Sequence, residues 1–377
     1  VPATLTELFM PLSRFFSAGF FSLCLPLAAH AAVLDSLYEV QLPPQADAEQ
    51  SAQLSNALDV MLERLAGNSL DEEAPTLAKV LAEPSSVTRQ ISSLQDDGSM
   101  QVEFDPLLLR DALTQAQVPM LGRNRPGVLV WAVQRDELGE DFMAPGSEMG
   151  QALRTAARFR GVALMQPLSD LQDRASISEE DVLDGDVEAL KAASERYASE
   201  GILALDVYHD TGEDWLLEWT FWLNDRTLEG KERSADPAQL ADGLMRALAL
   251  EVHSQYAVGA QAGGSAAGWT LQISGINSVG AFADLQRSLQ QLSNQHQPSL
   301  VSISGDQVVF AIDFPGDQGQ LERMLMLDQR LIRTEAPAPA AVEPDSALPV
   351  EGEGAGEQPE EQVGAAAPAN TLYYRWR

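Results

Sequence analysis

At Asn124-Arg125-Pro126-Gly127 a turn signal runs directly into six consecutive apolar residues, Val128 to Val133, and the polar Gln134-Arg135-Asp136 follows. An unbroken apolar run of strand length between turn and polar residues predicts a strand buried on both faces, as central parallel strands are. The apolar segments on either side fit around it. Upstream, Leu37 to Leu42 alternates like a half-buried strand and stops at Pro43-Pro44. Ala48 to Ala66 places Leu54, Leu58, Met61 and Leu65 at helical spacing before Gly67-Asn68. Pro75 to Ala82 predicts a short helix, and Val87 to Leu94 and Met100 to Phe104 flank an Asp96-Asp97-Gly98-Ser99 hairpin turn. Asp105-Pro106 opens a further helix to Ala116, since Asp caps free amides and Pro suits the first helical position.

Downstream of the central run, a polar loop leads to a helix from Ser147 to Arg160, ended by Gly161, and then to a strand over Val162 to Met165. A helix from Val187 to Ala198 precedes the apolar strand Ile202 to Val207. Strand, helix, strand, helix, strand is the order of parallel crossover units. A hairpin through Trp215 to Leu223, turning at Asn224-Asp225-Arg226, extends the sheet, and Asp236-Pro237 starts a closing helix to Tyr256. A Gly/Ala-rich linker, residues 257–268, then leads to a compact βαββα pattern. Its strands fall at Trp269 to Ile276, Leu300 to Ser304 and Val308 to Phe314, and its helices at Ser278 to Leu292 and Gln318 to Ile332. That is a ferredoxin-like order lacking its last strand.

The fold class is therefore α/β: a mixed, partly parallel sheet with helices on its faces, then a smaller ferredoxin-like βαββα domain and a disordered tail. The domain plan is 1–31 signal peptide, 32–256 α/β domain, 257–268 linker, 269–333 ferredoxin-like domain, 334–370 disordered Pro/Ala/Glu-rich tail and 371–377 aromatic-basic terminus. The terminus, Leu372-Tyr373-Tyr374-Arg375-Trp376-Arg377, suits a missing edge strand tethered by the tail.

Composition adds a compartment. Arg14, the apolar run Phe15 to Ala29 and the small-x-small Ala29-His30-Ala31 form a secretory signal, with cleavage between Ala31 and Ala32 and a start codon expected at Met10. Cys24 lies inside the apolar run behind Leu23, which does not suit lipoprotein processing. Cleavage removes this single cysteine, and with it any disulfide or thiolate chemistry. No later run is long enough to span a membrane. With 24 Lys and Arg against 56 Asp and Glu, the net charge is -32, which repels nucleic acid and anionic lipid. Neither is expected as a partner.

Candidate chemistry is sparse. His209, His253 and His296 lie in different elements without metal-like spacing. Glu179, Glu180, Asp181, Asp184, Asp186 and Glu188 crowd around Gly185; calcium is one reading, but the spacing does not reproduce the twelve-residue calcium loop, and helix capping by Ser178 and Asp186 is the other. Arg123 and Arg125 precede the central strand, and Arg154, Arg158 and Arg160 lie on the helix after it. Arg123, Arg125, Arg154 and Arg158 form a candidate anionic-ligand or partner site, with pairing to surface acids as the structural alternative. Asp136, Glu137, Glu140 and Asp141 are candidate carboxylates in the loop beyond Trp131. Tyr373, Tyr374 and Trp376 form a candidate interaction terminus. No motif calls for a cofactor or a metal.

Several of these segments together resemble an uncharacterised proteobacterial family, domain of unknown function 2066. They are Leu37-Tyr38-Glu39-Val40, Asn124-Arg125-Pro126-Gly127-Val128-Leu129-Val130-Trp131, Ala192-Ala193-Ser194-Glu195-Arg196-Tyr197 and Gly275-Ile276-Asn277-Ser278-Val279, with the terminal Tyr373-Tyr374-Arg375-Trp376. The resemblance spans residues 34–333 and the terminus, and implies an exported Gram-negative protein with no established catalytic residues. The unit from Ala189 to Val207 is similar, more faintly, to one in the N-terminal domain of TolB and in curli-secretion-type lipoproteins, a likeness of fold alone. The expected function is that of a non-enzymatic periplasmic interaction or scaffold protein with an envelope protein partner. The alternative is a small-ligand binder or hydrolase acting on an envelope component through carboxylates and arginines.

Overall fold

The computed structural model describes residues 32–44, 49–68, 70, 74–93, 99–137, 139–209, 214–259, 267–292, 298–336 and 370–377. The expected signal segment through Ala31, the Asp96-Asp97-Gly98 turn, most of the linker, His296 and most of the acidic tail lie outside those residues. The described chain is a mixed α/β structure with parallel and antiparallel strand pairs.

The first portion carries β1 (Ala32–Val33), β2 (Glu39–Leu42), α1 (Gln50–Ala66), α2 (Pro75–Ala82), β3 (Thr88–Ser93), β4 (Met100–Phe104) and α3 (Pro106–Gln115). Strand β4 lies between β2 and β3 and is antiparallel to both, so these strands form a three-stranded sheet of their own, separate from the sheet of the central run. Alternation explains the separation: Val40, Leu42, Val102 and Phe104 turn to one side and meet Leu58, Met61, Leu62 and Leu65 of α1 in a distinct core. The same alternation leaves Glu39, Gln41 and Gln101 on the opposite face. Asp105 caps α3 by accepting from the main-chain amides of Leu107 and Leu108, as its Asp-Pro start predicts.

Next come β5 (Asn124–Arg125), β6 (Gly127–Asp136), β7 (Gly139–Phe142), α4 (Glu148–Arg160), β8 (Ala163–Met165), α5 (Leu171–Ser176), α6 (Glu179–Leu183), α7 (Val187–Ser194), β9 (Gly201–His209), β10 (Trp215–Leu223), β11 (Arg226–Ser234) and α8 (Pro237–Tyr256). Strand β6 is central: β9 pairs with it in parallel along one side, while β8 (parallel) and then β7 (antiparallel) share the other. Residues Gly127 to Val133 are all buried. Val128, Val130 and Ala132 face the core shared with α4 and α8, whereas Leu129, Trp131 and Val133 meet Ile177, Val182 and Leu190 on the other side. The Trp131 indole N–H donates to Ser194 Oγ at 3.0 Å, which satisfies its one polar atom inside the core. The polar loop expected after Val133 is instead a hairpin, because β6 continues to Asp136 and the chain returns as β7. Its polar residues are compatible with strand structure at the end of a sheet that is open to solvent.

The last portion comprises β12 (Ala267–Ser274), α9 (Val279–Leu292), β13 (Ser299–Ser304), β14 (Gln307–Phe314), α10 (Gln318–Met326), β15 (Leu331–Arg333) and β16 (Thr371–Trp376), in sheet order β13-β14-β12-β16-β15. Two expectations change here. The helix predicted to reach Ile332 ends at Met326; Arg330 then clamps the Asp328 carboxylate at 2.8 and 2.7 Å, and the Leu331 amide donates to Asp328 O, which turns the chain into β15. The C-terminal strand is internal rather than at the edge, inserted parallel to β12 and antiparallel to β15. Its alternation drives the insertion, since Leu372, Tyr374 and Trp376 all turn into the core.

Candidate functional site

The face of β2 and β4 that carries Glu39, Gln41 and Gln101 does not lie open. Across from it stand α4, through Ala152, Thr155, Ala156, Arg158 and Phe159, and the start of α8, through Ala238 and Asp242, enclosing a cleft of about 590 Å³. Such junctions between packed units are common binding places because neither side fills them with its own core. The polar groups of the sheet wall are fixed by one another: Gln101 donates to Glu39 at 2.8 Å and Gln41 to the buried Ser99 hydroxyl at 3.0 Å.

Arginines define the other walls. Arg64 sits on the buried stripe of α1 and donates through Nε to Phe159 O at 2.6 Å and through Nη1 to Leu37 O and Glu39 O at 3.0 and 2.7 Å. Burial, together with the neighbouring Arg160 guanidinium, pulls its pKa down to about 10. Arg160 joins three helices, holding Asp242 of α8 at 2.7 and 2.5 Å and pairing with Glu63 of α1. Those ion pairs raise its pKa, the Asp242 hydrogen bond most of all. Arg158 also lines the cleft, yet its guanidinium has no hydrogen-bond or ion-pair partner among the described residues.

The four arginines singled out in the sequence therefore divide. Arg125 is 2% exposed and donates to four carbonyls, Gly122 O (3.0 Å), Gly161 O (2.6 Å), Arg64 O (2.7 Å) and Leu121 O (3.3 Å). It fastens the end of α1 and the end of α4 to β5, where the negative ends of helix dipoles favour a cation. Full burial and the nearby Arg64 charge lower its pKa to about 9. This corrects the reading of Arg125 as a ligand contact: its guanidinium is buried and already committed to four main-chain carbonyls. Arg123 lies over the Tyr38 ring at 5.2 Å. Arg154 bonds to Pro145 O and, at 3.0 Å, to Gln166 Oε1. Of the four, only Arg158 lines the cleft.

The aromatic terminus is corrected in the same way. Tyr374 and Trp376 are 1% and 8% exposed, and Arg330 stacks 4.5 Å over Trp376, so both are core residues of the sheet. Tyr373, half-buried on the opposite face, is the one of the three that retains appreciable exposure. Burial pushes the Tyr374 hydroxyl up to about 12. Of the loop acids, Asp141 pairs with Arg174 at 3.1 Å and Asp136 accepts from the Gly139 amide at 3.2 Å. Around Gly185, Ser178 and Asp181 form a capping box and Asp186 caps α7. His209 stacks on Trp215 at 4.2 Å, and buried His253 lies 3.3 Å from Pro119 O.

Two features escaped the sequence reading. Asp173, 2% exposed, accepts from the Ser169 amide (2.8 Å), the Tyr197 hydroxyl (2.7 Å) and Arg196 (2.8 Å), pinning α5 to the end of α7. Glu200 lies in a second cleft of about 440 Å³, between β9, the end of α8 and α10, with Tyr256 and Arg323. Its carboxylate accepts from the Gly127 amide at 2.6 Å, yet burial dominates and lifts its pKa to about 7. Neither has a sequence signal. Arg64 had one: a charge on the apolar stripe, one turn beyond Met61.

Residues 267–350 match the family model DUF2066. The match takes in β12 through β15 and continues past them. A second model, described as a domain of unknown function, DUF8605, matches residues 31–122. That span coincides with the three-stranded sheet and its separate core, so the sheet wall of the cleft belongs to the DUF8605 segment and the helical wall does not. Asn124-Arg125-Pro126 and the central strand fall between the DUF8605 and DUF2066 segments. No curated protein matches the chain. The likeness to TolB and to curli-secretion-type lipoproteins receives no support from these matches. Among the described residues no helix is long and apolar enough to cross a membrane.

Proposed function

We propose that the chain is an exported periplasmic protein of a Gram-negative envelope that acts by binding a partner, and that the 590 Å³ cleft between the DUF8605 segment and α4 is where it binds. The observation that carries the reading is Arg158. Acids outnumber cations 56 to 24, so a guanidinium beside a cleft with no carboxylate partner among the described residues is available for an anionic group from outside. Gln41 and Gln101 offer fixed amides alongside it, suited to a carboxylate-bearing, hydrogen-bonding partner segment. Among the described residues lining the cleft, the hydroxyls of Ser36, Ser99 and Thr155 have no histidine or cysteine with them, which favours recognition over acyl transfer. Export rests on the Arg14, Phe15 to Ala29 and Ala29-His30-Ala31 pattern.

A photo-crosslinking residue at Thr155, on the cleft wall, tests binding in cells. A discrete envelope adduct that disappears with Arg158→Glu is expected. Absence of any adduct, or one indifferent to Arg158→Glu, rejects the cleft as the binding place. N-terminal sequencing of periplasmic protein is expected to start at Ala32, and retention in the cytoplasm rejects export.

A further inference from the structure

Strand β13 is at one end of the five-stranded sheet, and all six of its residues are exposed. Its register makes that exposure unusual. Leu300 pairs with Phe310 and Ile303 with Val308, and directly paired residues share a face. Phe310 and Val308 are each 1% exposed beneath the helices, yet Leu300 and Ile303 on the same face are 46% and 57% exposed. The register shift between Leu300 and Ser302 produces this arrangement: one extra residue, Val301, places two apolar side chains three positions apart on one side. The helical layer thus stops short of its own sheet. The segment Pro298 to Ser304 contains no charged residue, although charge is a usual protection of exposed strand edges.

We infer that β13 is a self-association edge, at which two copies of this chain pair their β13 strands antiparallel about a two-fold axis. Self-pairing fits the residues. With the axis between Val301 and Ser302, Leu300 of each copy lies opposite Ile303 of the other, and four apolar side chains close over the gap left by the helices. Charge also favours this edge. Two chains of net charge -32 repel one another, and an uncharged strand is where they approach with least penalty. A six-residue strand pair buries less than the roughly 1,600 Å² of a standard interface, so the dimer is weak and concentration-dependent. This interface is remote in sequence from the proposed cleft and does not depend on it.

Sedimentation equilibrium of the full chain from 10 μM to 1 mM, in 0.5 M salt to screen the net charge, tests the inference. The wild-type chain is expected to dimerise reversibly. Leu300→Glu and Ile303→Lys alter exposed side chains, so circular dichroism should show both folded, and each alone should weaken dimerisation at least 20-fold. An equimolar mixture of the two should recover dimer, because the introduced carboxylate of one chain then faces the introduced ammonium of the other, while the unaltered Ile303 of the first faces the unaltered Leu300 of the second. A wild-type chain that stays monomeric, a dimer indifferent to both substitutions, or a mixture that fails to recover overturns the inference.

Discussion

Replacing Glu200 by Gln should stabilise the protein at pH 8 and change it little at pH 5. Glu200 has an ordinary pKa of 4.5 when the chain is unfolded and about 7 when folded, raised by burial against the partial compensation of the Gly127 amide. Below pH 4.5 both states hold the proton and the carboxyl exacts no penalty. Between those values the unfolded chain ionises while the folded one does not, so folding loses stability as pH rises until the folded pKa is passed. At about 1.4 kcal/mol per unit, the penalty is below about 1 kcal/mol at pH 5 and about 3 kcal/mol at pH 8. Gln keeps an oxygen for the Gly127 amide and cannot ionise. Urea unfolding of both proteins at the two pH values gives the difference directly, with an expected pH-dependent gain of roughly 2 kcal/mol. A gain of equal size at both pH values, or a variant less stable at pH 8, would refute burial as the cause.

Three further perturbations probe the frame. Arg125→Lys loses the planar fork that reaches four carbonyls and should cost about 2–4 kcal/mol in urea unfolding; a wild-type midpoint would show that Arg125 is not a strut. Asp173→Ala removes the shared acceptor of Ser169, Arg196 and Tyr197 and should destabilise by about 3 kcal/mol, with Asp173→Asn intermediate; equal stabilities for all three proteins would contradict the hub. Truncation after Asn370 deletes the buried Leu372, Tyr374 and Trp376, each worth about 1.5–3 kcal/mol, and should abolish hydrogen-exchange protection of β12 and β15. Retained protection there would mean that β16 is dispensable.

Much of the local structure was legible because it depends on near neighbours. Period, caps and turns decide elements: the apolar run at Val128 to Val133, the Asp-Pro starts at Asp105 and Asp236, and the Gly161 stop all appear where the sequence places them. The ferredoxin-like order through β14 followed from the same signals. The end of α10 is not marked in the sequence, because Leu327 and Leu331 continue an apolar pattern that suits helix and strand alike. The Asp328–Arg330 clamp that ends it depends on side-chain geometry.

The candidate site was less legible. An arginine string in a sequence does not show which guanidinium meets carbonyls, an aromatic ring or an open cleft, and Arg125, Arg123 and Arg158 have those three fates. The sequence by itself determined the α/β class, the strongly acidic surface, the central strand and the capped helices, since each follows from patterning within a few residues. Only the tertiary structure decided that the DUF8605 segment has its own sheet, that β16 enters the last sheet between β12 and β15, and that Leu300 and Ile303 lie uncovered. Those outcomes depend on pairing between residues far apart in sequence, which local periodicity permits but does not select.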